Sequence, residues 1–365
     1  MPKKPTIDSQ LLFLIFLLLG CGLAALYSAS TVESFENFGN TTGYIFRQVV
    51  YGVGIGTVLM LVFSKIDYHK WQKLLPLIIL VSLTLLALVK APGIGFSSGG
   101  ATRWIHVGPL FFQPAELAKL AIVLYLAAWA AKKHSEKTDF VFGLLPSLII
   151  IGLFAGLILW QPDFGTMSVA LCIAAVMLFT SGVSLKHFFW LSLAGLIFLL
   201  MMIKIEPYRW TRVISFLNPG FAPQGSGYQI SQALLAVGAG GFWGYGYGLS
   251  RQKHNYLPEP MGDSIFAIIA EELGFVRIIL LLILFLAFFL KGRQIAKTAP
   301  DTFGRMIAIG ITVWIISQAC INIGSMVGIV PLTGVPLPFF SYGSSSMVVI
   351  LSAMGILLNI SKQRK

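Results

Sequence analysis

Charge is scarce in this 365-residue chain: Asp, Glu, Lys and Arg make up 11% of it, while 56% is hydrophobic. Soluble domains carry about 25% charged residues, so the composition excludes the two or three soluble domains that length alone suggests. Cysteine is scarcer. Cys21, Cys172 and Cys320 all lie in apolar runs. An odd, dispersed set of this kind excludes a disulfide framework, and they read as small core residues. Leu18-Leu19-Gly20-Cys21 matches a lipoprotein cleavage box, but its run leads into a polytopic chain rather than a soluble domain. The five histidines, at 69, 106, 134, 187 and 254, lack paired metal-ligand spacing. No Walker sequence is present. The glycine-rich AVGAGGFWGYGYGLS, 236–250, follows no strand and sits in no βαβ unit, so no nucleotide site is expected there. Its glycines suit tight turns and close backbone approach.

What the chain has is long apolar runs. Ten occur, near residues 11–27, 44–63, 74–89, 114–131, 142–160, 163–181, 186–203, 264–290, 306–328 and 342–361. Their lengths fit the ~17–25 residues that cross a bilayer core of ~30 Å. The fold class expected is therefore an all-α polytopic membrane protein, one domain over residues 1–365 with about ten transmembrane helices. Gln161, Pro162 and Asp163 make the fifth and sixth runs a tight hairpin. With the N-terminus in the cytoplasm, 16 of the 26 Lys and Arg fall on the cytoplasmic side, 7 outside and 3 within spans. The cytoplasmic basic residues include Lys3, Lys4, Lys65, Lys70, Lys73, Lys132, Lys133, Lys137, Lys291, Arg293, Lys297, Arg305, Lys362, Arg364 and Lys365. This bias places both termini inside. The net charge of +12 is then a topology signal. It is scattered over short loops with no basic domain, so no nucleic acid partner is expected.

Two loops are long, 90–113 and 204–262, and both fall outside. The second, between helices 7 and 8, is rich in Trp, Tyr and Phe. Within it Gln229–Val237 reads as a short amphipathic helix lying on the membrane surface. Ionisable residues inside spans are costly, by ~2.5–3.5 kcal/mol on insertion scales, so each needs a partner or a function. They are Arg47, Glu116, Lys119, Glu271, Glu272 and Arg277, with Asp163 and Asp263 at span ends. Glu116 and Lys119 share a helix face at i, i+3. They make either a structural ion pair or one wall of a polar cavity open to the outside. Asp263 is either a helix N-cap or a reactive carboxylate, with Glu259 four residues before it. Glu271 and Glu272 point to different faces, so at least one binds a neighbouring helix, with Arg47 and Arg277 as candidate partners. The larger loop carries five basic residues, Lys204, Arg209, Arg212, Arg251 and Lys253, against Glu206 and Glu259. With Arg103, they make a positive outer face that suits an anionic, phosphate-bearing lipid.

The motifs RWIxxGPxxxQPxExxK at 103–119, QPDFGT at 161–166, RxxxFLNP at 212–219, GYQxxQ at 227–232, GGFWGYGYGLSRQK at 240–253, YLPE at 256–259 and PLPFFSYGSSS at 336–346 resemble those of the SEDS proteins: FtsW, RodA and the sporulation relative SpoVE. The likeness runs from about residue 10 to 361. It implies a peptidoglycan glycosyltransferase that polymerises lipid II, an undecaprenyl-pyrophosphoryl disaccharide-pentapeptide, on the outer face of the cytoplasmic membrane. It also implies a class B penicillin-binding protein, a transpeptidase, as partner. The family's essential aspartate falls on Asp263. Arg103, Trp104, Glu116 and Lys119 match family positions and are expected at the substrate, as are Arg209, Arg212, Lys253 and Glu259. A Mg²⁺ or Mn²⁺ held by Asp263 is the one cofactor expected. Val107-Gly108-Pro109-Leu110 and the YLPE motif lean towards FtsW over RodA. Departures fall at Gly262-Asp263-Ser264, Ala115, Arg277 and Ser344. The change beside Asp263 keeps two alternatives in play: a lipid II flippase, and a non-catalytic scaffold that recruits the transpeptidase.

Overall fold

The computed structural model describes residues 7–98, 100–108, 110–132, 143–218 and 225–363. Lys3, Lys4, Pro109, Lys133, Lys137, Pro219, Arg364 and Lys365 lie outside the described residues. Every one of the expected apolar runs falls on a helix. Seven of these helices are long and apolar enough to cross a membrane. The other three are 16 or 17 residues long.

Helix α1 spans Ser9–Phe38, capped by the Asp8 carboxylate and ended by Gly39 in the left-handed region. It runs 11 residues past the expected boundary, because no glycine or proline lies between Tyr27 and Gly39. The second span is continuous over Gly43–Lys65. It is built from α2 (Gly43–Arg47), a π-helical stretch (Gln48–Gly54) and α3 (Ile55–Lys65). Helix α4 is His69–Leu88. The loop after it holds a feature the periodicity did not signal, an antiparallel sheet of β1 (Gly95–Ser98), β2 (Ala101–Val107) and β3 (Leu110–Phe112). The described residues are therefore helical with one small sheet. Pro114 then opens α5 (Pro114–Ala130), a position where its missing N–H costs nothing. Helices α6 (Leu145–Trp160) and α7 (Phe164–Thr180) form the expected hairpin, with Asp163 capping α7 through Thr166 N–H at 3.0 Å.

Helix α8 (Leu185–Ile205) crosses with no buried residue. It is followed by α9 (Pro207–Leu217) and α10 (Ser226–Ala239). The last three helices are α11 (Ile265–Thr298), α12 (Thr302–Met326) and α13 (Ser344–Lys362). The core sits around α5, α12 and α13, whose side chains are the most consistently buried. Cys21 and Cys320, expected in that core, are exposed on the helix surface.

The surface helix expected at Gln229–Val237 is present but does not lie flat. Gln229 at its start meets Ser264, and Gly240 after its end packs on the Ala270 carbonyl, so α10 descends alongside α11. The reason lies in α11. Gly274 has φ +72° and interrupts the helix. That break strands backbone groups, and the descending loop pairs them. Tyr245 and Gly246 N–H donate to the Glu271 and Glu272 carbonyls at 3.1 and 3.0 Å. Phe275 and Val276 N–H donate to Gly241 and Phe242 at 2.9 and 3.2 Å. Gly274 lies nine residues into α11, about 14 Å along it at ~1.5 Å per residue. Irregular backbone at such depth survives only where protein satisfies it. A Cβ on Gly274 would stand 2.2 Å from Gly244 N, so only glycine fits.

Candidate active site at the start of α11

Asp263 sits two residues before α11, outside the span, in a loop tied down on several sides. Asn322 of α12 donates its amide to the Asp263 carbonyl at 2.7 Å and to the Val335 carbonyl at 2.8 Å. The Ser341 hydroxyl donates to the Gly262 carbonyl at 2.7 Å, and Tyr342 N–H to Met261 at 2.8 Å. The loop is thereby fixed to the non-helical segment between α12 and α13. Ser264, not Asp263, occupies the N-cap position of α11 and makes no side-chain capping bond. The N-cap reading of Asp263 therefore fails, and its carboxylate is left to the site.

That carboxylate has three neighbours of consequence. Gln229 Nε2 donates to Oδ1 at 3.2 Å and to the Ser264 hydroxyl at 2.9 Å. A Cβ built on Gly334 would lie 3.8 Å from Asp263 Oδ2 and 3.9 Å from Arg212 Nη1. Carboxylate and guanidinium thus face one opening above Gly334, which has φ +72°. Arg212 is itself held by the Leu332 carbonyl at 3.2 Å. Burial, followed by the Glu259 carboxylate, pushes the Asp263 pKa up from 3.8 to about 6; Arg212 and the Gln229 hydrogen bond pull the other way. Glu259 has φ +50°, a conformation uncommon outside glycine and of the kind that gathers at functional sites.

Asp263, Arg212 and Glu259 are therefore brought together as the sequence suggested. Arg209 is buried, with Nη1 on the Met202 carbonyl at 3.0 Å and its guanidinium 5.6 Å from the Phe164 ring. Arg103 donates to the Gln161 and Pro162 carbonyls, clamping the α6–α7 turn. Trp104 pairs across strands with Phe96. Glu116 and Lys119 form an ion pair at 2.8 Å, each 1% exposed. Lys119 also donates to Gln318 at 2.7 Å and stands 5.0 Å from the Trp314 ring, while Ser346 donates to Glu116 at 3.0 Å. Gln318 in turn donates to the Pro336 carbonyl at 2.9 Å. Of the two readings open for this pair, the geometry gives the closed network, which supports the segment carrying Gly334 from below.

Lys253 is placed differently from expectation. It is 4% exposed, 3.2 Å from Glu272, and donates to Ser28 and to the Gly248 carbonyl. Ser28 donates to Glu272 at 2.6 Å, so this cluster locks α1 to α11. Glu271 accepts from the Ser250 hydroxyl and from Arg251 and Gln252 N–H. The partners of Glu271 and Glu272 are thus the descending loop and α1. Arg47 lies over Phe38 at 4.5 Å, and Arg277 donates to backbone carbonyls. Local chemistry explains the change: the break at Gly274 brings backbone amides and Lys253 closer than either arginine. Gln229, Asn322 and Gly334 were not singled out from sequence as site residues. The GYQ motif was the signal for the first.

No cluster of three or more His, Cys, Asp or Glu among the described residues has the arrangement of a metal site. Mg²⁺ needs only one or two carboxylates alongside substrate phosphates, and Asp263 Oδ2, facing the opening, fits that lighter demand. A groove of about 590 Å³ lies well away from Asp263, between the start of α1 and the far end of α11.

Against known proteins, the chain matches over residues 9–365 a family described as cell cycle protein, covering FtsW, RodA and SpoVE. Stage V sporulation protein E of Bacillus subtilis (strain 168) is 42% identical over 360 residues, 99% of this chain and 98% of that protein. A probable peptidoglycan glycosyltransferase FtsW of Trichlorobacter lovleyi is 38% identical, covering 97% of this chain and 93% of that one. Among solved structures, a chain of a peptidoglycan synthase complex that coordinates polymerization and crosslinking superposes with TM-score 0.81 at 28% identity, over 98% of both chains. Rod shape determining protein RodA of Thermus thermophilus gives 0.73 at 27% identity, also over 98% of both.

Proposed function

The chain belongs to the FtsW, RodA and SpoVE family of cell cycle proteins, and we propose that it is a peptidoglycan glycosyltransferase polymerising lipid II, with Asp263 as general base. The observation that carries this reading is the carboxylate itself: held at the outer end of a span, facing an opening shared with Arg212, with its pKa raised to about 6. A base with a pKa near the working pH is both ionised and strong enough to take a proton. The leanings towards FtsW agree with relatives named FtsW and SpoVE.

In the reaction, a sugar 4-hydroxyl of lipid II attacks the anomeric carbon of the growing glycan, and the lipid pyrophosphate leaves. Asp263 Oδ2 takes the hydroxyl proton. Gln229 fixes Oδ1 and keeps Oδ2 turned to the opening. Arg212 lies beside the same opening and offsets the charge that develops on the leaving pyrophosphate. Asp263 is also the residue that would hold Mg²⁺ or Mn²⁺, which would supply further charge neutralisation there. Burial, with the Glu259 carboxylate adding to it, keeps the Asp263 pKa high. The positive-inside bias of the loops supports a cytoplasmic-membrane protein with both termini inside and Asp263 on the outer face. A class B penicillin-binding protein fits as the crosslinking partner, since the chain resembles one subunit of a synthase that also crosslinks.

The geometry favours an enzyme over a flippase. Glu116, Lys119, Glu271 and Glu272 are all buried and paired, so they line no polar path across the bundle. A reconstituted protein given labelled lipid II on one leaflet separates the two. Polymer on that leaflet supports the transferase, whereas translocation of unpolymerised lipid II contradicts it.

A further inference from the structure

The three-stranded sheet has a face that the Asp263 site leaves unused. Along β2, alternate side chains take opposite sides. Ala101 and Ile105 are 7% and 8% exposed and turn inward with Arg103, which holds the α6–α7 turn. Thr102, Trp104 and His106 take the other side. Phe96 stands opposite Trp104 and Phe111 opposite His106, so both join that side. Phe96 and Phe111 are 44% and 42% exposed, and His106 is exposed. The rings form one plate: Phe111 lies 4.9 Å from Phe96 and 4.8 Å from His106. A register shift between Phe96 and Ser97 pairs Ser97 with Thr102, which brings its hydroxyl to the ring side. Bulges re-aim side chains in this way. The Ser97 and Thr102 hydroxyls meet at 2.7 Å. Among the described residues of the sheet, Arg103 alone carries a fixed charge, and it is turned away from the plate.

Rings beside neutral hydrogen-bonding groups suit a sugar. A pyranose has one face of C–H bonds and an edge of hydroxyls. The C–H face meets the electron-rich face of an aromatic ring, and the hydroxyl edge needs donors and acceptors such as Ser97, Thr102 and His106. A face built to lie in lipid is poorly served by two hydroxyls and an imidazole among its rings, because polar groups are costly there. From Thr102 to His106 the plate runs about 13 Å at ~3.3 Å per residue, longer than a single sugar ring. The sheet also stands next to the opening at Asp263. Arg103 grips the Pro162 carbonyl, and Gly165, three residues on, packs on the Thr333 carbonyl so closely that no Cβ would fit. Thr333 precedes Gly334, over which Asp263 and Arg212 face each other. On its other side, Gln113 follows β3 and donates its N–H to the Ser345 hydroxyl at the start of α13, at 3.3 Å.

We propose that this aromatic face of the sheet binds the sugar rings of the glycan strand and holds the strand beside the opening between couplings. The proposal rests on the polymerase reading for the identity of the sugar.

The test uses the full chain in lipid nanodiscs and a fluorescently labelled, lipid-free N-acetylglucosamine tetrasaccharide, with binding followed by anisotropy. The wild type should bind it. Phe96→Ser with Phe111→Ser should weaken binding about tenfold, the scale of losing stacked rings. Phe111→Trp alone should keep the wild-type affinity, since it keeps a ring on the plate. His106→Ala and Ser97→Ala, both at exposed positions, should each weaken binding about threefold, the scale of one hydrogen bond, and they carry the test should the double variant misfold. Given lipid II, the double variant should make shorter glycan strands than the wild type. Asp263→Asn should bind the tetrasaccharide as the wild type does while making no polymer, which separates sugar binding from chemistry. A wild type that binds the sugar through these rings yet polymerises no lipid II would support the face and sink the polymerase reading. No binding by the wild type, or equal binding by wild type and double variant, would overturn the proposal. So would quenching by brominated phospholipid of the fluorescence that Phe111→Trp adds, because it would put the face in the bilayer.

Discussion

Replacing Gln229 with leucine tests how the Asp263 carboxylate is tuned. The side chain is of similar size but donates nothing, so Oδ1 loses its 3.2 Å hydrogen bond while Arg212 and Glu259 stay in place. The bond favours the ionised form, and its loss raises the pKa further above about 6. A hydrogen bond to a charged group contributes about 1.5–3 kcal/mol. At 3.2 Å the lower figure applies, and about 1.4 kcal/mol corresponds to one pH unit. The base is active when ionised, so activity is lost as pH falls through its pKa. The acidic limb of the polymerisation rate should move from about pH 6 to about pH 7, a drop of roughly fivefold at pH 6 and almost none above about pH 8.5. The assay is polymerisation of fluorescent lipid II across this range. A limb that stays put, or a loss equal at every pH, would refute the tuning argument and leave Gln229 as packing alone.

Other perturbations separate structure from chemistry. Lys119→Met strands the buried Glu116 and should lower stability by about 3–5 kcal/mol, whereas Glu116→Gln with Lys119→Met should recover most of it; melting temperatures in detergent decide this. Gly274→Ala should prevent folding, because its Cβ meets the Gly244 backbone at 2.2 Å, and loss of monodisperse protein on size exclusion would show it. Asp263 is held at a pKa of about 6 against 3.8 when unfolded, so the native state binds the extra proton between these values. Its stabilising contribution is present below about pH 4 and lost as pH rises through about 6. Asp263→Asn, which mimics the protonated acid, should therefore melt at or above the wild-type temperature at pH 8 despite losing activity.

The hydrophobic spans, the α6–α7 hairpin and Asp263 were legible in the sequence because lipid imposes long apolar runs and penalises stray charge. The three-stranded sheet was not, since three-to-seven-residue strands among glycines carry little periodicity. Nor was the descent of the 226–256 segment. Its cause is a single backbone angle at Gly274, and sequence periodicity reads straight through that residue. Lys253 was assigned to substrate on charge alone. Its actual partner, Glu272, is 19 residues away and is reached through a loop path that only the folded chain reveals. Gln229 and Asn322 act through hydrogen bonds made across tertiary contacts, which composition and spacing do not encode.

The central claim is that Asp263 performs proton transfer in glycan polymerisation. Its most direct test is polymerisation of labelled lipid II by purified wild type and Asp263→Asn, each with and without the partner transpeptidase and divalent metal. The account predicts polymer from the wild type and none from the variant, with both equally folded. Equal polymer from the two would contradict it.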